Sequence, residues 1–135
     1  MACKAFVIIM KSKDERLMKV LIVDDTPRAR QCMKALLGIW FPLEEVGEAV
    51  NGIEAVQLTG QFQPKLVLMD IRLPGLSGLQ ATRQIKCSWP QVKIILLSVF
   101  SDYQGLAKAA GADAFVCKSD PPETLHHLLK LSLYL

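Results

Sequence analysis

Four short apolar runs constrain the chain most: KVLIVD at 19–24, KLVLMD at 65–70, KIILLS at 93–98 and AFVCK at 114–118. Each is bounded by polar or turn-forming residues, and each is apolar throughout. A strand covered on one face alternates apolar and polar residues, so continuous runs of this length belong to a parallel sheet buried on both faces. Parallel strands need crossover segments, and the intervals carry helical signals. Thr26 is placed as an N-cap with Pro27 in the first turn and Gly38 as the stop; Asn51 caps a second helix with Ile53, Val56 and Gln57 near one face. Ser77 opens a third helix, and 101–110 and 121–135 supply two more. EEVGEAV at 44–50 reads as a weaker second strand. The alternation is (βα)5, which predicts a doubly wound α/β fold with helices on both faces of a mostly parallel sheet.

At 135 residues the chain is one domain, long enough to bury about two thirds of the surface of its unfolded chain. Strand signal starts near Met18, so residues 1–17 are expected to be an N-terminal extension and 18–135 the domain. The extension's apolar run, AFVIIM, is six residues and too short for a signal peptide or a membrane span. With 51% hydrophobic and 21% charged residues the composition is that of a folded domain. A net charge of +3 with scattered Lys and Arg lacks the basic stripe of a nucleic-acid surface, so no nucleic acid is expected on this segment. Cys3, Cys32, Cys87 and Cys117 form no C-x-x-C pair and are read as reduced, small core residues. His126 and His127, adjacent on the last helix, face different directions and are read as surface residues. A cytoplasmic location with no membrane association is the expectation.

Chemistry is concentrated where strands stop. In an open parallel α/β sheet all the carboxyl ends of the strands lie on one edge, where ligands bind. Here that edge collects Asp24 and Asp25 after the first strand, Asp70 after the third, Ser98 after the fourth and Lys118 after the fifth. An acidic pair alone is more often a solvated turn, and each of the others has an ordinary reading as a cap or surface charge. Together they make an edge with three carboxylates and one ammonium. Buried carboxylates persist only when paired or metal-bound, and an all-oxygen set without Cys or His selects Mg²⁺ over zinc. A carboxylate can also act as a nucleophile toward phosphorus, with metal and lysine neutralising the transferring oxygens.

VDD at 23–25, MDIRLPGLSG at 69–78, LLS at 96–98 and GADAFVCK at 111–118 together resemble the receiver domain of two-component response regulators, over about residues 19–131. The resemblance implies a flavodoxin-like strand order 2-1-3-4-5. It implies that Asp70 is the phosphoacceptor and that Asp24, Asp25, Asp70 and the Arg72 backbone carbonyl hold Mg²⁺. Ser98 and Lys118 would contact the phosphoryl group, with Ser98 and Phe115 as switch residues. The partner would be a sensor histidine kinase or phosphotransfer protein, and the output would be a changed face, with homodimerisation, at helix 4, strand 5 and helix 5. Self-dephosphorylation would be slow, and the chain would not be an enzyme in the ordinary sense.

CKSDPPETL and the Val99 after Ser98 resemble receivers attached to helix-turn-helix output domains. One departure is that Lys118 is followed by Ser119 where receivers often have a cis proline, and a cis bond to a non-proline costs about 3 kcal/mol. Two alternatives stand beside this reading. A haloacid-dehalogenase-like phosphatase uses the same residue types but spaces two Asp one residue apart after its first strand, which DDT does not match. A pseudo-receiver that only binds partners would not need the full acidic set with Lys118. On the last helix, Leu125, Leu128, Leu129 and Ser132 suit the core side, while Leu131, Leu133, Tyr134 and Leu135 are expected to spread apolar surface around its end.

Overall fold

The computed structural model describes residues 17–134, and within them five strands alternate with five helices. The order is β1 (Met18–Val23), α1 (Pro27–Trp40), β2 (Leu43–Ala49), α2 (Gly52–Phe62), β3 (Leu66–Asp70), α3 (Gly78–Ser88), β4 (Lys93–Ser98), a 3₁₀ turn (Ser101–Tyr103) running into α4 (Gln104–Ala110), β5 (Ala114–Cys117) and α5 (Pro122–Tyr134). The strands form one sheet in the order β2-β1-β3-β4-β5, parallel throughout. From β1 the chain winds outward to β2, then back across to β3, so the direction reverses between β1 and β3. The AFVIIM run of the extension lies outside the described residues.

The period of two along each strand divides one apolar run between two cores. Val20, Ile22, Leu66, Leu68, Ile95, Leu97 and Val116 point to one face, where Leu37 of α1 and Leu125 and Leu129 of α5 cover them. Leu21, Val23, Val67, Met69, Ile94 and Leu96 point to the other, under Ala55 of α2, Ala81 and Ile85 of α3 and Ala107 of α4. β2 lies at the sheet edge and is half exposed, which is why its sequence signal is weak.

Two helix starts follow the sequence closely. Asn51 accepts from the Glu54 amide at 2.8 Å, and Ser77 and Gln80 form a reciprocal capping box. Thr26 precedes Pro27 at the first position of α1, but its side chain makes no capping bond. Gly38 does not end α1, which runs on to Trp40. The stop is instead Phe41, buried in the core and forced extended by the following Pro42.

Other expectations are corrected by packing. Ile53 and Gln57 of α2 are exposed and Val56 is partly buried; the core-facing residues are Ala55 and Thr59. Cys32 and Cys87 sit on solvent-facing helix positions and Cys117 is half-buried, so none of the three is a fully buried core residue. His127 is exposed, but His126 stacks on Trp40 with ring centroids 4.6 Å apart. Leu133 joins the α1–α5 core, leaving Leu131 as the exposed leucine of that turn. No described helix is long and apolar enough to cross a membrane. No cis peptide occurs among the described residues, so Lys118–Ser119 is trans.

Candidate functional site

Strand register brings the polar strand ends together. Val23 is level with Met69 across β1 and β3, so Asp24 and Asp70, one residue further on, emerge side by side. Asp70 in turn is level with Leu97, and Ser98 with Cys117, which sets Ser98 and Lys118 on the same edge. Asp24, Asp25 and Asp70 each offer a carboxylate oxygen, all within 4.8 Å of one another. Lys118 reaches across the sheet, its Nζ donating to Asp24 Oδ2 and to Asp70 Oδ2 at 3.0 Å each. Asp24, Asp25, Asp70 and Lys118 therefore meet at one place, at the β1–β3 reversal where doubly wound sheets form their crevice, while Ser98 ends the next strand along the same edge.

Asp24 is held at every polar atom. Its amide donates to the Ala49 carbonyl at 3.1 Å, its Oδ1 accepts from the Thr26 amide at 2.9 Å, and its carbonyl accepts from Arg30 at 2.7 Å. Asp25 is exposed. Asp70 accepts weakly at Oδ1 from the Arg72 amide, at 3.4 Å, in the turn that follows β3. That turn closes tightly: the Gly78 amide donates to the Ile71 carbonyl at 2.8 Å, and a Cβ on Gly78 would lie 2.4 Å from the Asp70 carbonyl oxygen. Glycine at 78 is thus what lets α3 start directly against the end of β3.

Ser98 is buried at 1% exposure, and its hydroxyl accepts from the Phe100 amide at 3.1 Å. The Lys118 amide donates to the Ser98 carbonyl at 2.7 Å, tying the ends of β4 and β5 together. Phe115 is half-buried on the α2–α4 side of β5, in the cluster that also includes Tyr103. The Arg72 side chain is exposed and lies over the Phe100 ring, 5.3 Å from its centroid. His126 and His127 lie on α5 and contribute nothing to this edge.

Burial raises Asp70 above the ordinary carboxylate value, and the charge of Asp24 adds to it, against the opposing pull of Lys118. For Lys118 burial acts downward, but the hydrogen bonds and charges of Asp24 and Asp70 outweigh it and its value is raised. The ammonium is therefore charged at neutral pH and pairs with two of the three carboxylates, Asp24 and Asp70, while Asp25 has no ion pair among the described residues. The donor set contains oxygen only, which suits a small, hard divalent ion and gives a soft metal nothing to bind.

Sequence reasoning missed Arg30. The available signal was local: α1 has no acidic residue in its first turn but carries Arg28 and Arg30 there, against the preference set by the helix dipole.

Comparison with known proteins bears on this geometry. The response regulator receiver domain family matches residues 20–130. The chain is 36% identical over 110 residues to a transcriptional regulatory protein of Bacillus subtilis strain 168, YhcZ, covering 80% of this chain and 51% of that protein. A LuxR-family two-component response regulator from Aurantimonas sp. SI85-9A1 superposes with a TM-score of 0.82 at 30% identity, covering 88% of this chain and 86% of its own. The receiver domain of the Pseudomonas aeruginosa PAO1 sensor histidine kinase PA1611, whose structure has a magnesium ion coordinated in its active site cleft, superposes with a TM-score of 0.76 at 26% identity, covering 89% of this chain and all of its own. The chain spans about half the length of the curated relatives it matches. With the strand order, the gathered carboxylates and the bridging lysine already in place, this similarity across most of the chain has one meaning: the chain belongs to the response regulator receiver domain family.

Proposed function

We propose that this domain is switched by phosphorylation of Asp70, and that residues 18–135 form the switching unit. The observation that carries the assignment is Lys118, which bridges Asp70 and Asp24 at 3.0 Å beside a third carboxylate. Asp70 is the carboxylate on the strand that is central in the sheet, and the rigid turn ending at Gly78 holds it. The donor set fits Mg²⁺, with Asp24, Asp25, Asp70 and the Arg72 carbonyl as the residues that would hold it. When bound, such an ion neutralises charge on the transferring oxygens.

In the reaction an Asp70 oxygen forms a bond to phosphorus as the bond from phosphorus to the donor's histidine nitrogen breaks. Lys118 lies where it can pair with the new phosphoryl oxygens, and Ser98 supplies a hydroxyl from the end of β4. Charge-assisted hydrogen bonds of this type are about twice as strong as neutral ones. Drawing the Ser98 segment toward the acceptor opens room on the side where Phe115 packs, and the face of α4, β5 and α5 is reshaped for self-association or target binding. Reversing a population from 1:99 to 99:1 takes about 5.5 kcal/mol of differential stabilisation, within reach of several such contacts.

The phosphoryl donor is a sensor histidine kinase or phosphotransfer protein in the cytoplasm. The output this reading favours is regulation of transcription, as in the transcriptional regulatory proteins the chain resembles. Self-dephosphorylation is slow, and nothing favours turnover of phosphomonoesters. Intact-mass measurement with acetyl phosphate or beryllofluoride tests the assignment: a metal-dependent adduct on the wild type and none on Asp70→Asn. An undiminished adduct on the variant, or steady hydrolysis of a phosphomonoester by the wild type, overturns it.

A further inference from the structure

The Arg30 side chain is only 13% exposed and points backward along α1, as side chains on helices do, toward the strand end that precedes it. Its Nη1 donates to the Asp24 carbonyl at 2.7 Å while its Nε donates to Glu48 Oε1 of β2 at 2.8 Å. The position is unfavourable for a cation, since the first turn of a helix presents positive partial charge. Burying a charge there costs energy unless the hydrogen bonds it makes are good ones. Those bonds go to the acidic turn and to the neighbouring strand, and they complete a frame: β2 holds the Asp24 amide directly through Ala49 and the Asp24 carbonyl indirectly through Glu48 and Arg30.

The carbonyl in question belongs to the peptide that joins Asp24 to Asp25. Asp25 is exposed and has no ion pair among the described residues, so its carboxylate is placed by its backbone alone. Three mutually repelling carboxylates within 4.8 Å would relax apart if that peptide could turn. We propose that Arg30, braced by Glu48, is a positioning residue that fixes the Asp24–Asp25 peptide and so sets the spacing of the metal-binding carboxylates; this rests on the Mg²⁺ reading above. A planar guanidinium offers two donors in a fixed fork and can serve a carboxylate and a carbonyl together, which a lysine ammonium of different reach and shape does not reproduce.

Charge alone and positioning predict opposite signs. If Arg30 acts only as a nearby positive charge, Arg30→Gln removes repulsion and tightens Mg²⁺. If it positions the turn, the variant binds more weakly, by the roughly 10- to 100-fold typical when partners that orient metal ligands are lost. Calorimetric titration of MgCl₂ into the full chain is expected to give that loss for Arg30→Gln and also for Arg30→Lys, which keeps the charge, with a several-fold loss for Glu48→Gln. Wild-type or tighter affinity in Arg30→Gln, or full rescue by Arg30→Lys, overturns the proposal. Should Arg30→Gln fail to melt cooperatively, Glu48→Gln decides, since Glu48 is an exposed residue on an edge strand; wild-type affinity there overturns the brace. A second readout needs no metal: the Asp25 amide signal in ¹⁵N-correlated NMR spectra shifts in Arg30→Gln when the bond to the Asp24 carbonyl is lost. An unmoved signal overturns the proposal even if affinity changes. A wild type that does not bind Mg²⁺ refutes the metal reading instead, and the Asp25 signal then decides Arg30's hold on the turn by itself.

Discussion

Replacing Lys118 with methionine removes the one cation among the described residues that contacts both Asp24 and Asp70, and the structure sets the size of the effect. Each contact is 3.0 Å, worth about 5 kcal/mol before desolvation at an effective dielectric constant of 20. The lysine side chain is 32% exposed, so solvent screens the pairs and the desolvation of ammonium and carboxylates offsets most of the rest. A net contribution of about 1–3 kcal/mol lies between exposed and buried ion pairs. The unfolding entropy of a domain this size converts that to a fall of about 4–12 °C in melting temperature. In the variant the three carboxylates face one another unneutralised, so Mg²⁺ replaces the missing charge. In the wild type the same ion must contend with an ammonium already on two of the oxygens. At one common Mg²⁺ concentration the Mg²⁺-induced rise in melting temperature is therefore larger in Lys118→Met than in the wild type, because that concentration is a larger multiple of the variant's dissociation constant; a multiple of about 100 adds about 2.7 kcal/mol.

The pH dependence has a definite sign. Asp70 has a folded-state value raised above its ordinary 3.8, so the folded protein binds its proton more readily than the unfolded chain. Its contribution to stability grows as pH falls into the carboxylate range and declines as pH rises through it. Lys118 is raised above 10.5, so its contribution is complete below that value and is lost only as pH rises through the folded-state value. The penalty of Lys118→Met is accordingly greatest at neutral pH and shrinks on acidification. Circular-dichroism melts at pH 7.5, in EDTA and in Mg²⁺, check both parts. An unchanged melting temperature in EDTA, or equal Mg²⁺ increments in the two proteins, would refute the reasoning.

Gly78→Ala forces a Cβ to within 2.4 Å of the Asp70 carbonyl oxygen and 2.8 Å of the Ile71 Cα, both backbone atoms. Denaturant titration should show a loss of about 1–3 kcal/mol, typical of overpacking, with weakened Mg²⁺ binding. Ser98→Ala removes the acceptor of the Phe100 amide at a cost of about 1 kcal/mol; light scattering and target binding should respond less to beryllofluoride, while calorimetry shows Mg²⁺ affinity retained. Deleting residues 1–17 should leave the melting temperature within about 2 °C of the full chain, since Leu17 is exposed and β1 begins at Met18, and chain ends that are not docked contribute little. A fall of many degrees would show that the AFVIIM segment is part of the folded unit.

Strands whose burial is complete on both faces were readable from residue order alone. Leu66 to Met69 and Ile94 to Leu97 are apolar at every position because every position meets a core, and no surface residues dilute the pattern. Once these strands are parallel, their polar ends share an edge, so Asp24, Asp25, Asp70, Ser98 and Lys118 were legible as a group before any distance was known. Signals at one face of a helix or at an edge strand were weaker. Gly38 looked like a stop, yet α1 ends where Phe41 docks and Pro42 follows; Cys32 and Cys87 looked like core residues, yet their helices turn them to solvent. Helical phase relative to the sheet is chosen by packing, which local propensity does not encode. The contacts that define the site were decided only in three dimensions. Lys118 meets Asp24 across 94 residues of chain, and Arg30 meets Glu48 across 18, by virtue of strand order and register. A pattern repeats along the chain and is read from neighbours in sequence, whereas a bond 3 Å long depends on where the sheet places residues that are far apart in it.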